Sequence, residues 1–224
     1  MDSFLESASC SLATEYGNFS LHGFRDKRSG LEHAALTLGE LTTGGPVLTR
    51  LHSECLTGDT FHSLHCDCGS QLQSALEHIK AEGRGVLLYL RQEGRGIGLL
   101  NKIRAYALQQ KGADTVDANR MLGLPDDARD YGIAADMLTS LGLSEVRLMT
   151  NNPAKISGLT SHGIKVTERV PLEVARHARN TDYLDTKAAR MGHILAGGEV
   201  ATAQAEASSA TVAHACPPIC GNDA

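Results

Sequence analysis

Near residue 70 the hydrophobic pattern changes period, and that change limits the folds open to the chain. Upstream, "NFSLHGF", "EHAALTLGEL" (32–41) and "PVLTRLHSE" (46–54) are short, partly alternating runs separated by Gly, Pro and Asp, which reads as strand. Downstream, "SQLQSALEHIKAEG" (70–83) places Leu72, Ala75, Leu76 and Ile79 at helical spacing, with Gly83 as the stop. "GVLLYL" (85–90) is a continuous apolar run of buried-strand type. A helix over 97–112, a helix over 131–142, a strand over 145–150, a helix over 153–163 and a strand over 164–170 follow. Strands and helices alternating at this spacing imply βαβ units. The expected fold is α/β: one domain with a mixed, largely parallel sheet flanked by helices and a β-rich N-terminal third. Residues 113–130 are polar without clear period and read as loop, and "YLDTKAARMGHIL" (183–195) reads as a last helix. From about 196 the chain is rich in Ala, Ser and Gly with almost no large apolar residue, so 196–224 is expected to be a disordered tail.

Composition removes several classes of function. Trp is absent and aromatics are 4%, which leaves few stacking platforms for single-stranded nucleic acid. The net charge is −5 with no Lys/Arg-rich run, unlike a duplex binder. The first residues lack a basic segment followed by an apolar one, and no apolar run approaches the ~20 residues of a membrane span. The expectation is a cytoplasmic protein with neither nucleic acid nor membrane as partner. In a reducing compartment, clustered cysteines point to metal or catalysis rather than disulfides.

Such a cluster exists. "CLTGDTFHSLHCDCG" (55–69) holds Cys55, Cys66 and Cys68. On an extended segment Cys66 and Cys68 would share a face. Cys55 would fold back to them through a hairpin-like loop containing Thr57-Gly58-Asp59. Three thiolates suit a tetrahedral zinc with one position open, as in catalytic sites. A closed structural site with His52, His62 or His65 as fourth ligand, and a set of merely buried cysteines, are the alternatives. His52-x-Glu54 matches half of a zinc-deaminase signature, but the Pro-Cys-x-x-Cys half is missing. Cys216 and Cys220 fall in the low-complexity tail, and Cys10 has no sequence neighbour to pair with.

Three further stretches carry candidate chemistry, two of them at strand ends, where α/β sheets bind ligands. "YLRQEGRGIGLLNK" (89–102) is a strand, a charged Gly-rich turn and a helix, but not a dinucleotide fingerprint or a P-loop. "LPDDARDYG" (124–132) gathers Asp126, Asp127, Arg129 and Asp130 before a helix, where acidic caps are also common. "LMTNNPAKI" (148–156) places Thr150 and Lys155 around a helix start at Pro153.

Taken together these stretches resemble GTP cyclohydrolase II. "RLHSECLTGDTFHSLHCDCGSQL", "RQEGRGIGLLNKIRAYALQ", "DTVDANRMLG", "ARDYGIAADML", "RLMTNNPAKI" and "YLDTKAARMGH" follow the family pattern in order, from about residue 12 to 195. Residues 1–11 are then an N-terminal extension and 12–195 the family domain. The resemblance implies a homodimer that converts GTP, in riboflavin biosynthesis, to 2,5-diamino-6-hydroxy-4-(5-phosphoribosylamino)pyrimidine, formate and pyrophosphate. It implies one Zn²⁺ per subunit on Cys55, Cys66 and Cys68, and Mg²⁺ with the triphosphate. It implies GTP contacts at Arg50, Leu51, His52, Ser53, Glu54, Gln71, Glu93, Gly94, Arg95, Thr115, Thr150 and Lys155. Asp127 corresponds to an acid–base carboxylate, Arg129 to a group acting on the α-phosphate as nucleophile or charge clamp, and Tyr106 to an active-site tyrosine. The chain departs from the family pattern at His65, where Arg is usual. A paralogue acting on GTP or another purine nucleotide with a different product, and a non-catalytic zinc-stabilised nucleotide-binding module, are the alternative readings.

Overall fold

The computed structural model describes residues 5–172 and Val174. Seven strands form one sheet: β1 (Leu5–Thr14), β2 (Gly17–Asp26), β3 (Glu32–Leu38), β4 (Val47–Ser53), β5 (Gly85–Leu90), β6 (Glu145–Met149) and β7 (Lys165–Val170). Their order is β1-β2-β3-β5-β4-β6-β7. The sheet is mixed, as expected. β1, β2 and β3 pair antiparallel and join β5 antiparallel, while β5, β4, β6 and β7 are mutually parallel. β1 takes in most of the stretch read as an extension and pairs along its length with β2.

β4 and β5 are buried along nearly their whole length, which accounts for the continuous apolar run of β5. On one face Val47, Leu51, Val86, Leu88 and Leu90 pack against α5 (Gly132–Ser140) and α6 (Pro153–Ser161), through Ile133, Ala134, Leu138 and Leu159. On the other, Leu48 and Leu87 pack on Ala75, Leu76 and Ile79 of α2 (Cys68–Glu82), with Phe19, Met149 and Leu172. Each fully buried leucine here contributes about 1.5–3 kcal/mol. Gly83 ends α2 as expected: it sits in the left-handed region at φ 73°, and its N–H reaches the carbonyls of Ile79 and Lys80 at 3.0 and 3.2 Å.

Two local expectations are corrected. Residues 113–130 are not all loop: α4 (Thr115–Met121) follows α3 (Leu99–Gln109). Asp114 caps α4, its carboxylate accepting from Val116 N at 2.7 Å and Asp117 N at 2.8 Å. Seven residues are too short for a period to be legible, so the cap carries the signal. The return from Cys55 is not a hairpin-like loop but a single helical turn, α1 (Leu56–Asp59), and Cys68 opens α2 rather than extending a strand. The helix expected over 183–195 and the tail 196–224 lie outside the described residues. No helix among the described residues is long and apolar enough to cross a membrane.

Candidate active site

The site lies at the carboxyl ends of β4, β5 and β6, where parallel strands deliver loops to one edge. Alternation along β4 turns Leu51 into the core and Arg50 and His52 to the α2 side of the sheet. Both are buried polar groups in a largely apolar layer, and each is tied down. Arg50 donates to Met149 O at 3.0 Å and to Gln71 Oε1. Burial pushes its guanidinium down to about 10. His52 Nε2 is 3.0 Å from Asp59 Oδ1, and its ring stacks on Tyr89 at 5.5 Å between centroids. Asp59 also accepts from Tyr89 Oη at 2.8 Å and from Cys55 N at 3.0 Å, so one buried carboxylate braces the histidine and the first cysteine. Burial lowers the His52 pKa, which favours the neutral ring.

The three thiols converge. Their sulfurs all lie within 4.8 Å of one another, and Cys55 Sγ is 3.7 Å from Cys66 Sγ. Among the described residues no His, Asp or Glu ligand atom joins this group of sulfurs. The convergence depends on two glycines. A Cβ at Gly58 would lie 2.8 Å from Cys66 Sγ and 3.2 Å from Cys55 Sγ, and one at Gly69 would lie 2.3 Å from Gly58 O. The hydrogen bond between the two thiols favours ionisation of Cys55, aided by Cys68, and pushes Cys66 up to about 11.

Lys102, absent from the expected site, is buried on α3 with Nζ 3.1 Å from Cys55 Sγ and 2.8 Å from Glu93 Oε1. Burial opposes its charge, but Glu93 and Cys55 outweigh burial and hold the ammonium well above its usual range. Its sequence signal was weak, because a lysine one turn into a helix is ordinarily a solvated residue. Glu93 is committed within the chain: Oε2 accepts from Leu56 N at 2.7 Å, and Oε1 accepts from Gly94 N at 2.8 Å as well as from Lys102.

The Gly-rich turn after β5 is tightly folded. Gly94 and Arg95 both lie near φ 61°, a conformation that costs a non-glycine residue about 1–2 kcal/mol, so Arg95 is strained. Arg95 O accepts from Ala128 N at 3.0 Å, and a Cβ at Gly96 would meet Ala128 O at 2.9 Å. This close approach docks the 124–131 segment on the turn. It delivers Arg129, whose Nε donates to Asp127 Oδ1 at 2.9 Å and whose guanidinium lies 5.7 Å from the Tyr131 ring centroid. Burial raises the Asp127 pKa, but Arg129 outweighs it and holds the carboxyl below the usual range. Arg95 Nη1 is buried and makes no hydrogen bond among the described residues.

These groups line one cleft that is open to solvent. Of the expected residues, the cleft brings together Arg50, His52, Ser53, Glu54, Cys55, Cys66, Cys68, Gln71, Glu93, Gly94, Arg95, Tyr106, Arg129, Thr150 and Lys155. Three stand apart. The Leu51 side chain is in the core and only its carbonyl serves the site, accepting from Lys155 Nζ at 2.7 Å. Asp127 reaches the cleft through Arg129. The backbone of Thr115 opens α4. The cleft also contains Lys102, Gln109, Asn119, Asn151 and Asn152, which sequence reasoning did not single out. Asn152 is the N-cap of α6, and Asn151 clamps Leu172 through both its backbone groups at 2.7 and 3.2 Å.

Comparison with known proteins gives the class first. A family model described as GTP cyclohydrolase II matches residues 6–171, and the chain belongs to that family of enzymes. Individual relatives then narrow it. A GTP cyclohydrolase-2 of Azotobacter vinelandii is 60% identical over 198 residues, covering 87% of this chain and 95% of its own. Those of Hahella chejuensis and Tolumonas auensis are 61% and 58% identical, covering 84% of this chain and 91% and 95% of theirs. Among solved structures, a two-domain 3,4-dihydroxy-2-butanone 4-phosphate synthase from A. baumannii matches with a TM-score of 0.44 and 18% identity. That match covers 77% of this chain and 41% of that one.

Proposed function

We propose that this chain is a zinc-dependent GTP cyclohydrolase II that hydrolyses GTP to 2,5-diamino-6-hydroxy-4-(5-phosphoribosylamino)pyrimidine, formate and pyrophosphate, in riboflavin biosynthesis. The observation that carries the proposal is the thiol triangle in a cleft lined with cationic groups. A tetrahedral zinc with ~2.3 Å zinc–sulfur bonds holds its sulfurs about 3.8 Å apart. Cys55 and Cys66 already stand at 3.7 Å, so the donors fit the ion in spacing and chemistry. Zinc held by Cys55, Cys66 and Cys68 would supply Lewis acidity and a more acidic water for opening the imidazole ring.

The chain's own groups account for the rest. Arg95 and Lys155 carry charge suited to phosphate oxygens, and the unsatisfied Arg95 Nη1 has a hydrogen bond to give. Mg²⁺ accompanying the triphosphate would take up charge that these two do not cover. Arg129 acts as a charge clamp at the α-phosphate. The buried guanidinium keeps its proton, and Asp127 fixes its direction through paired hydrogen bonds. Asp127, held below its usual pKa, is a carboxylate at neutral pH and serves as acceptor rather than proton donor. Tyr106 lies against the thiol loop and presents its ring to the cleft. A second copy of the chain would cover the apolar surface of α3 and α4, where Leu100, Ile103 and Met121 are exposed, consistent with a homodimer.

The deciding experiment is product analysis by mass spectrometry after incubating the zinc-loaded protein with GTP and Mg²⁺. Formate and pyrophosphate in equal amounts are expected. Ammonia in place of formate would identify a deaminase, and tight GTP binding without turnover a binding module.

A further inference from the structure

We infer that Lys102 is a positioning residue of the metal centre, acting through Cys55: its ammonium draws electron density from that sulfur and so sets the acidity of the ion the thiols hold. This rests on the zinc reading above. The geometry is specific. Lys102 comes from α3, remote in sequence from the cysteines, and is 8% exposed. Its Nζ is 3.1 Å from Cys55 Sγ and 2.8 Å from Glu93 Oε1. Glu93 in turn holds Leu56 N at 2.7 Å, the peptide immediately after Cys55. A lysine is seldom buried without a partner, because desolvating an ammonium is costly. Here both partners belong to the thiol loop or its brace. Glu93 by itself would leave the lysine no reason to reach the sulfur, since a single carboxylate already neutralises it.

The chemistry follows from the ligand set. Three thiolates donate strongly to a divalent ion and blunt its Lewis acidity. A charge-assisted hydrogen bond to one sulfur lowers that donation, as outer partners of metal ligands do generally. Tyr106 lies beside the same ammonium, with Nζ 5.7 Å from its ring centroid, so the cation also links the thiol loop to the cleft wall.

The test uses the full chain with cobalt(II) in place of zinc, read by its thiolate-to-cobalt charge-transfer absorption, beside zinc content and GTP kinetics. Lys102→Met keeps the aliphatic stem and removes the charge. The charge-transfer band should move to lower energy and zinc should be held at least as tightly as in wild type. kcat should fall on the order of 10- to 100-fold with little change in KM for GTP. Lys102→Arg should return the band toward its wild-type position. Because Lys102→Met strands the buried Glu93, Lys102→Met/Glu93→Gln is read for absorption alone and should show the same shift. A cobalt spectrum in Lys102→Met that superimposes on wild type, or zinc bound more weakly, would overturn the inference in favour of a purely structural lysine. Wild-type protein that takes up no zinc or releases no formate would instead remove the zinc reading, and the inference with it.

Discussion

Gly58→Ala pits helix propensity against the thiol cluster. Gly58 lies in the α1 turn with an ordinary backbone conformation, outside the left-handed region. Considered as a helix residue alone, alanine would be favoured by about 0.8–1 kcal/mol. The added Cβ, however, would lie 2.8 Å from Cys66 Sγ, 3.0 Å from Cys68 Cβ and 3.2 Å from Cys55 Sγ. Ordinary heavy-atom contacts are about 3.5–4.0 Å, so every one of these overlaps. Overpacking of this kind costs about 1–3 kcal/mol, and the thiols are the parts free to move. The helix term offsets part of the clash and leaves a net cost of about 0–2 kcal/mol in global stability. It does not offset the loss in metal affinity, because relieving the clash spreads sulfurs that now stand 3.7 Å apart. A loss of 1–3 kcal/mol there is roughly 5- to 150-fold in zinc affinity. Chelator competition measures the affinity, and thermal melting of the metal-free protein measures the fold. The expected outcome is a melting temperature within a few degrees of wild type and zinc held at least 5-fold more weakly. Wild-type zinc affinity in Gly58→Ala would refute the reasoning, since the glycine would then have no steric role at the thiols.

Other perturbations probe the same arrangement. Cys66→Ser should abolish formate release and lower zinc content while circular dichroism stays native, because the two cores lie on the sheet faces away from the thiol loop; global unfolding on metal loss would identify a structural ion instead. Arg129→Ala should reduce pyrophosphate release at least 100-fold, since an uncompensated phosphoryl transition state costs several kcal/mol and each ~1.4 kcal/mol is tenfold in rate; an unchanged rate would leave Arg129 only its contacts with Asp127 and Tyr131. Gly96→Ala should lose activity through a displaced 124–131 segment, because its Cβ would meet Ala128 O at 2.9 Å and φ is 88°; a native Arg129-dependent rate would contradict this. The depressed Asp127 carboxyl stabilises the fold above the ordinary carboxylate pKa, and that stability is lost as pH falls through the lowered value. The melting-temperature gap between wild type and Asp127→Asn should therefore be present at pH 7 and close at acid pH, with a size of about 1 kcal/mol or less for this partly exposed group.

Much of the frame was legible because it rests on local signals. The period of "SQLQSALEHIKAEG" and its closing Gly83 locate α2, and the unbroken apolar run of "GVLLYL" marks a strand covered on both faces. α4 was missed because seven residues contain too little period, and its capping aspartate lay in a polar stretch where caps and loops look alike. β1 was missed because all but its first residue are exposed or partly so, leaving no alternation to read.

At the site, the spacing of Cys55, Cys66 and Cys68 already pointed to a shared metal-ligating role and the family resemblance pointed to the arginines, and the structure brings the thiols together and Arg50, Arg95 and Arg129 into one cleft. Sequence could not show which groups face one another across the cleft. Gly58 and Gly69 look like any loop glycines until α1 and α2 are brought within contact of the sulfurs. Lys102 looks like a surface lysine until α3 carries it to Cys55, 47 residues away. The 124–131 segment that holds Asp127 and Arg129 docks on the Arg95 turn because Gly96 lets the Ala128 backbone approach. Local propensity and side-chain chemistry are properties of short segments and survive in the sequence. Burial, the pairing of charges and the spacing of sulfurs arise from packing between distant segments, so only the tertiary structure decided them.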